Sequence, residues 1–429
     1  MIRKTTILAF CLLLCGALAA MSAQAVEPVV LTADSAVELA LRNSLSLKSA
    51  RVDLQTLRRR SATSWNALLP SLSAGVGLGN SQDFSGTGGT PWDLSLNLSA
   101  RLPLSPATPY STRAASLQYQ AAAVRLQETE SALRRDVRKS FNALLLGREK
   151  IALLEQSMQS ASLSADIARR NFAAGLIPEV DALSAEMVLE KLGPQLEQAR
   201  ADFQTALLEL QSLAGLEPTA TVRIEGSFQV PQMQLEADSL VRDRLASRPD
   251  VRAGALDVEQ RRSQRSLAVA QARAPSASLS YSLGGRTADL SGSGGLTGSG
   301  SATLSLSVPL DSWLPGSSGQ VQTAEAGDEL AKAELSLQDI RRAAEVEIRS
   351  LVLKLQVLAS SLRVLEKNEQ LTRRVYELRS KEYSAGLTEL TVLRQALDDQ
   401  QQAGLDLATA RQQYSDALAD LEHATLAAQ

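Results

Sequence analysis

The chain carries one histidine and two cysteines in 429 residues, and aromatics make up only 3% of it. Each scarcity excludes something. Both cysteines, Cys11 and Cys15, lie in the first 25 residues, where Arg3 and Lys4 give a positive start, Ile7 to Leu18 is a short apolar stretch, and Ala23-Gln24-Ala25 forms an A-x-A pattern. That order reads as a secretory signal, residues 1–25, with the mature chain beginning near Val26. The apolar stretch is shorter than the roughly 20 residues a membrane helix needs. Leu14 stands where a lipoprotein signal has Gly, Ala or Ser, which argues against lipidation at Cys15. The mature chain then has no disulfide, thiol nucleophile or thiolate metal site. His423, alone near the C-terminus, completes no Ser-His-Asp arrangement or metal cluster and reads as an ordinary helix residue. No cofactor is implied.

Basic character is also missing. The formal net charge is −3, and loss of Arg3 and Lys4 makes it two units more negative. The densest basic run, Arg58-Arg59-Arg60, reads as a solvated helix face, and no basic stripe is interleaved with aromatics, so a nucleic-acid partner is excluded. The Gly- and Ser-rich segments QDFSGTGGTPW and GRTADLSGSGGLTGSG lack a G-x-x-x-x-G-K pattern and read as exposed loops, not phosphate cradles.

What the chain does have, it has twice, about 211 residues apart. FAAGL from Phe172 answers YSAGL from Tyr383, and downstream Ala199-Arg200 answers Ala410-Arg411, Phe203 answers Tyr414, and Leu210 answers Leu421. Ungapped self-similarity of this kind marks a duplication. The expected division is residues 26–220 for the first repeat and 221–429 for the second, each running helix, strand pair, very long helix, returning helix.

Hydrophobic periodicity separates these parts. A helix starts at Thr32 or Asp34 and keeps helical spacing to about Trp65, and Pro249 starts its counterpart. Period 2 follows: Leu94, Leu96, Leu98, Ala100 and Leu102 alternate with Ser95, Asn97, Ser99 and Arg101, and Leu72 to Leu78, Ala277 to Leu283 and Leu304 to Leu310 behave alike. Four strands of about ten residues result, apolar on one face and Ser- and Gly-rich on the other. Such strands suit either a soluble sheet on a core or a transmembrane barrel facing lipid. Because the rest of the exported chain is helical and offers no core to cover the sheet, the barrel is favoured. Trp92, Tyr281 and Trp313 fit an interfacial aromatic belt or plain packing equally well.

The long helices span about Tyr110 to Ala173 and Gln320 to Ser384, each on the order of 95 Å. Each turns at a glycine, Gly175 or Gly386, and returns through a shorter helix to Leu216 or Leu426. Gly193-Pro194 should kink the first return. Thr221 to Pro231 reads as a short strand and linker.

Long helical hairpins carrying strand pairs, duplicated in an exported chain, resemble the TolC-like outer-membrane efflux channels over nearly the whole mature chain. The carrying segments are LTADSAVELALRNS at Leu31, LLPSLS at Leu68, FAAGLIPEVDALSA at Phe172, RPDV at Arg248, SVPL at Ser307 and EYSAGLTELTVLRQA at Glu382. The resemblance implies an α+β membrane protein: a homotrimer whose protomers each give four strands to a twelve-stranded β-barrel, continued by a long periplasmic α-helical barrel. It implies a passive exit channel of a tripartite efflux or secretion system, docking to a periplasmic adaptor and, through it, to an inner-membrane pump. The turns Ala174-Gly175-Leu176 and Ala385-Gly386-Leu387 would meet the adaptor, or the glycines would merely cap helices. Asp181 and Tyr383 match the family's polar links at the closed tip, where a Tyr-carboxylate hydrogen bond would be worth roughly 1.5–3 kcal/mol. Val392 and Gln395 stand where some members have aspartates, and Thr388 where the family has an arginine, so the constriction would be less acidic. Asp398 and Asp399 lie one turn further on, as a ring or as a solvated face. A periplasmic coiled-coil adaptor or scaffold without a pore is the alternative, and a secreted hydrolase fails for want of catalytic residues.

Overall fold

The computed structural model describes residues 29–80, 92–228, 236–287 and 296–425. The signal segment, with both cysteines, lies outside them, as do the central parts of the two Gly- and Ser-rich loops.

In chain order the elements are β1 (Val29–Leu31), α1 (Ala33–Asn43), α2 (Leu45–Ala62), β2 (Ser71–Asn80), β3 (Trp92–Leu104), α3 (Thr108–Ala173), α4 (Glu179–Ala214), β4 (Val222–Ile224), α5 (Ala237–Arg244), α6 (Pro249–Arg273), β5 (Ser276–Thr287), β6 (Leu296–Ser307), α7 (Ser318–Ser384) and α8 (Leu390–Thr425). Helix α1 opens on Thr32, whose hydroxyl accepts from the Ser35 amide while Ser35 reaches back to the Thr32 amide, a reciprocal cap. Pro249 sits in the first turn of α6, where its missing N–H costs nothing.

Two expectations need correcting. The helix expected to reach Trp65 breaks at Ser44, ends at Ala62 and gives way to a 3-10 turn over Ser64–Leu68. The strands run into the segments read as loop: β5 reaches Thr287 and β6 begins at Leu296, because each residue there still has a ladder partner across the pair. Helix α4 is continuous through Pro194, held by Leu192, Leu196 and Ala199, which pack on Leu154 and Ala161 of α3.

The chain forms two compact units, and each draws on both halves of the sequence. Among the described residues, one takes 29–48, 130–228, 236–240 and 348–425; the other takes 49–80, 92–129, 241–287 and 296–347.

The second unit holds a four-stranded antiparallel sheet in the order β2-β3-β5-β6. Its register sets apolar against apolar: Leu72 opposite Ala100, Ala74 opposite Leu98, Leu98 opposite Leu283, Leu279 opposite Leu304. Among the described residues nothing covers this face. Leu72 is 75% exposed and Leu304 72%. The opposite face is tied by Ser73 to Ser99 at 2.6 Å and Ser282 to Ser301 at 2.8 Å. Strands β2 and β6 each have a neighbour on one side only. In the same unit Arg248, at the start of α6, is buried and donates to Asp250 and Glu347, both at 2.7 Å.

The first unit is built on two helical hairpins, α3-α4 and α7-α8. Helix α3 packs on α4 through the cluster around Leu154 and an Arg200–Glu155 ion pair at 2.9 Å. It packs on α8 through a polar seam: Lys139 to Asp420 at 2.6 Å, Asn142 to Asp416 at 2.9 Å, and Ser131 to His423 at 2.8 Å. Helix α8 packs in turn on α7 through Val352, Leu355 and Leu362 against Leu407, Tyr414 and Leu421. The core nearest the parallel pair β1-β4 gathers Leu31, Val37, Val137, Phe141, Leu144 and Leu210. His423, read from sequence as an ordinary helix residue, is thus part of the seam joining α8 to α3.

Candidate functional site

The two hairpin turns have one geometry. After α3, the Gly175 amide donates to the Phe172 carbonyl and the Leu176 amide to Asn171; after α7, Gly386 donates to Tyr383 and Leu387 to Glu382. These are paired 6→1 and 5→2 bonds that close a helix end. They require a left-handed residue, and both glycines have φ of 72° with open space where a Cβ would stand. Glycine is therefore needed here for backbone conformation rather than for close approach. The residue after each glycine is held outward: Leu176 is 73% exposed and Leu387 79%. Ala174 and Ala385 are exposed beside them.

Between the turns lies a cavity of about 420 Å³, lined by residues from the ends of all four helices. Ala165 and Ala168 of α3 and Ala182 and Ala185 of α4 pack beneath it, joined by Ile177 and Leu390. Small residues at these positions let the helix backbones approach closely. The cavity brings together Asp181, Tyr383 and Thr388, three of the six residues assigned to the gate from sequence. Tyr383 is 5% exposed, and burial together with the nearby Asp181 charge pushes its hydroxyl above the usual phenol range, so it stays protonated. The Tyr-carboxylate hydrogen bond expected from sequence is not made: the buried hydroxyl has no partner. Both residues line the cavity.

The other three gate residues are not gathered into the cavity. Val392, Gln395 and Asp398 lie on the exposed side of α8. There Gln395 donates to Asp399 at 2.8 Å, and Arg394 stands 3.9 Å from Asp398. Both acidic residues are engaged along their own helix. Among the described residues no group of His, Cys, Asp or Glu could hold a metal ion, and no helix is long and apolar enough to cross a membrane.

Sequence reasoning missed the exposed apolar rows. Helix α4 continues from Leu176 with Val180, Leu183 and Met187 facing outward, and α7 exposes Leu353, Val357, Val364, Leu371, Val375 and Leu378. The spacings of three, four and seven residues are those of a helix seam awaiting a partner. They were visible in the sequence, but a row that faces solvent looks the same there as one that faces the core.

Comparison with known proteins agrees with this architecture. Residues 36–216 and 240–425 match the sequence profile of the outer membrane efflux protein family. The outer membrane protein TolC of Vibrio cholerae is 25% identical over 191 residues, spanning 43% of this chain and 44% of that protein. Less than half of TolC is therefore matched. In fold, the chain is similar to the Campylobacter jejuni CmeC outer membrane channel, with a TM-score of 0.76, 18% identity and coverage of 92% of this chain and 85% of that one. VceC of Vibrio cholerae gives the same TM-score and identity over 92% and 95%. With nearly all of its described length matched by one profile, the chain belongs to the outer membrane efflux protein family, whose members sit in the outer membrane and extend into the periplasm.

Proposed function

We propose that the chain is the outer-membrane exit channel of a tripartite efflux or secretion system, working as a passive homotrimeric conduit. The observation that carries this reading is the uncovered sheet. Four strands of 10 to 13 residues suit the thickness of a bilayer's hydrocarbon core. Their apolar face is bare, and β2 and β6 each leave one edge unpaired. In lipid such edges are prohibitively costly, so copies must join edge to edge, and three would close a twelve-stranded barrel.

The hairpins support the same assembly. Contacts run α4 to α3, α3 to α8 and α8 to α7, which leaves α4 and α7 at the two flanks, each with an exposed apolar row. Two different surfaces that complement one another form a heterologous contact, and such contacts close into a ring when the rotation from copy to copy divides a full turn. The ring of helices would continue the barrel into the periplasm. The repeats at 26–220 and 221–429 would then supply equivalent staves from one duplicated gene segment.

The turns at Gly175 and Gly386 would form the periplasmic tip, with Leu176 and Leu387 presented to the helices of an adaptor that links the channel to an inner-membrane pump. Asp181, Tyr383 and Thr388 would hold the gate. Val392 and Gln395 would ring the constriction with neutral side chains, so cations would meet little attraction there. Such a conduit needs no catalytic group. A pore-free periplasmic scaffold would have no use for four bilayer-length strands.

The test is membrane fractionation with unheated gel electrophoresis, followed by planar-bilayer recording of the purified protein. A heat-sensitive trimer in the outer membrane and stepwise ion conductance are expected. A soluble periplasmic protein without conductance would overturn the reading. Photo-crosslinkers at Leu176 and Leu387 should capture an adaptor; capture of neighbouring copies alone would remove the docking assignment.

A further inference from the structure

We infer that Arg101 places a ring of fixed positive charge, one from each copy, inside the barrel at the end that continues into the helices, and that this ring makes the conduit favour anionic solutes. The inference rests on the channel reading, because the ring exists only where copies close one barrel.

The ladder register puts Arg101 on the Ser- and Gly-rich face of β3, opposite Ser71 of β2 and Ser280 of β5. With the bare leucine face against lipid, this polar face lines the lumen. The Ser71 hydroxyl donates to the Arg101 carbonyl and the Ser280 hydroxyl to that of Thr303, so neither serves the guanidinium. Arg101 is exposed, and no carboxylate of the described residues pairs with it. A guanidinium stays charged at any working pH.

Nothing else on the sheet cancels that charge. Among the described residues the four strands carry three charged side chains, Asp93, Arg101 and Arg286, all on the polar face. Asp93 and Arg286 are paired with each other at 3.2 Å. They stand six to eight residues from Arg101 along β3, since Arg286 lies opposite Ser95. That is roughly 20–26 Å, against a screening length of about 10 Å in 0.1 M salt. Strands β2 and β6 carry no charge, so a neighbouring copy paired edge to edge brings no acid to Arg101.

The size of the barrel lets the ring reach every passing ion. Twelve strands about 4.8 Å apart and tilted about 40° give a backbone radius of roughly 12 Å. Arginines projecting inward from that wall leave no path further than about one screening length from a positive charge. Rings of charged side chains set the sign of the ions that a pore passes. Carboxylate, phosphate and sulfonate groups are the solute chemistry a guanidinium fork suits best.

The experiment is planar-bilayer recording of the purified protein under a tenfold KCl gradient, the reversal potential being read as a chloride-to-potassium permeability ratio. A ratio severalfold above one is expected. Arg101→Gln, which keeps the length and loses the charge, should lower it severalfold, and Arg101→Lys should keep it above one. Asp93→Asn combined with Arg286→Gln removes a self-neutralised pair and should leave the ratio in place. Raising both solutions toward 1 M salt, where the screening length falls to about 3 Å, should shrink the parent's preference without any variant. Trimers of each variant on unheated gels would show that the barrel still closes. Conductance with a ratio at or below one, a ratio that Arg101→Gln leaves unchanged, or one indifferent to salt would overturn the assignment and leave the channel reading standing. Absence of conductance would overturn both.

Discussion

The two hairpin tips share a backbone and differ in surface. Both end in the same pair of closing hydrogen bonds around a glycine at φ of 72°. Yet the outward row after the first turn is Leu176, Val180, Leu183 and Met187, whereas the residues 211 further on are Leu387, Thr391, Arg394 and Asp398. Only the leucine beside the glycine is kept. Backbone geometry at a turn is set by a few local hydrogen bonds and one left-handed residue, so duplication preserves it readily. A surface answers to whatever lies against it. With an apolar row on the first hairpin and a charged row on the second, the two hairpins offer different surfaces.

The largest effect should come from placing a charge in the apolar row. In the proposed trimer, Leu183→Arg would bury an unpaired cation in the contact between copies, at a cost of about 3 kcal/mol or more per contact. The trimer should be lost from unheated gels, while Arg394→Leu, the reverse change at the matching position, should leave it intact. Equal behaviour of the two variants would dissolve the distinction between the hairpins.

The hairpin interiors differ as well. Phe203 of α4 lies over Gly147 of α3, where an added Cβ would come within 3.2 Å of the ring. In the second hairpin Tyr414 and Leu358 occupy the matching positions in one cluster. Gly147→Leu should therefore destabilise the protein by roughly 1–3 kcal/mol through overpacking, read as a lowered midpoint in thermal unfolding. Leu358→Gly should also destabilise, through a cavity and a loosened helix.

At the turns themselves the hairpins should respond alike. Gly175→Ala and Gly386→Ala each force a side chain into the left-handed region with no clash, at a cost of about 1–2 kcal/mol. Unequal losses in denaturant titration would show that one turn is strained by something beyond its own bonds.

The smallest effect concerns the seam that joins the hairpins. Burial raises the Asp416 carboxyl above its ordinary value near 3.8, against the pull of Asn142 and Lys139. An acid with a raised folded pKa is less comfortable ionised in the fold than unfolded, so it costs stability above the folded value, and that cost vanishes below the unfolded one. Asp416→Asn should thus stabilise slightly at neutral pH, by under about 1 kcal/mol, with no gain under acid conditions where the parent is already protonated. In the other unit Asp250 behaves oppositely. Burial alone would raise it, but its bonds with Arg248 hold it low, so its contribution is present above the ordinary value and is lost as pH falls.

Much of this was legible in the sequence because it depends on short-range pattern. Alternation of Leu with Ser between Leu94 and Leu102 can serve only a strand with unlike faces, and the ladder bears it out. Thr32 and Pro249 announce helix starts by what they offer or lack as donors. Reading failed where partners at long range intervene. Gly285 and Gly298 look like loop until each faces the other across the ladder. Asp181 and Tyr383 do line one cavity, but the absence of a bond between them could not be read from their positions.

By itself, then, the sequence determined where most of the strands and helices lie and where the hairpins turn, since each follows from periodicity and local hydrogen bonding. The tertiary structure alone decided which apolar faces remain bare, which helices stand at the flanks, and that the Tyr383 hydroxyl is buried without a partner. Those depend on what lies across from each residue, and in a chain whose helices are amphipathic on more than one side, only packing selects the face that stays open.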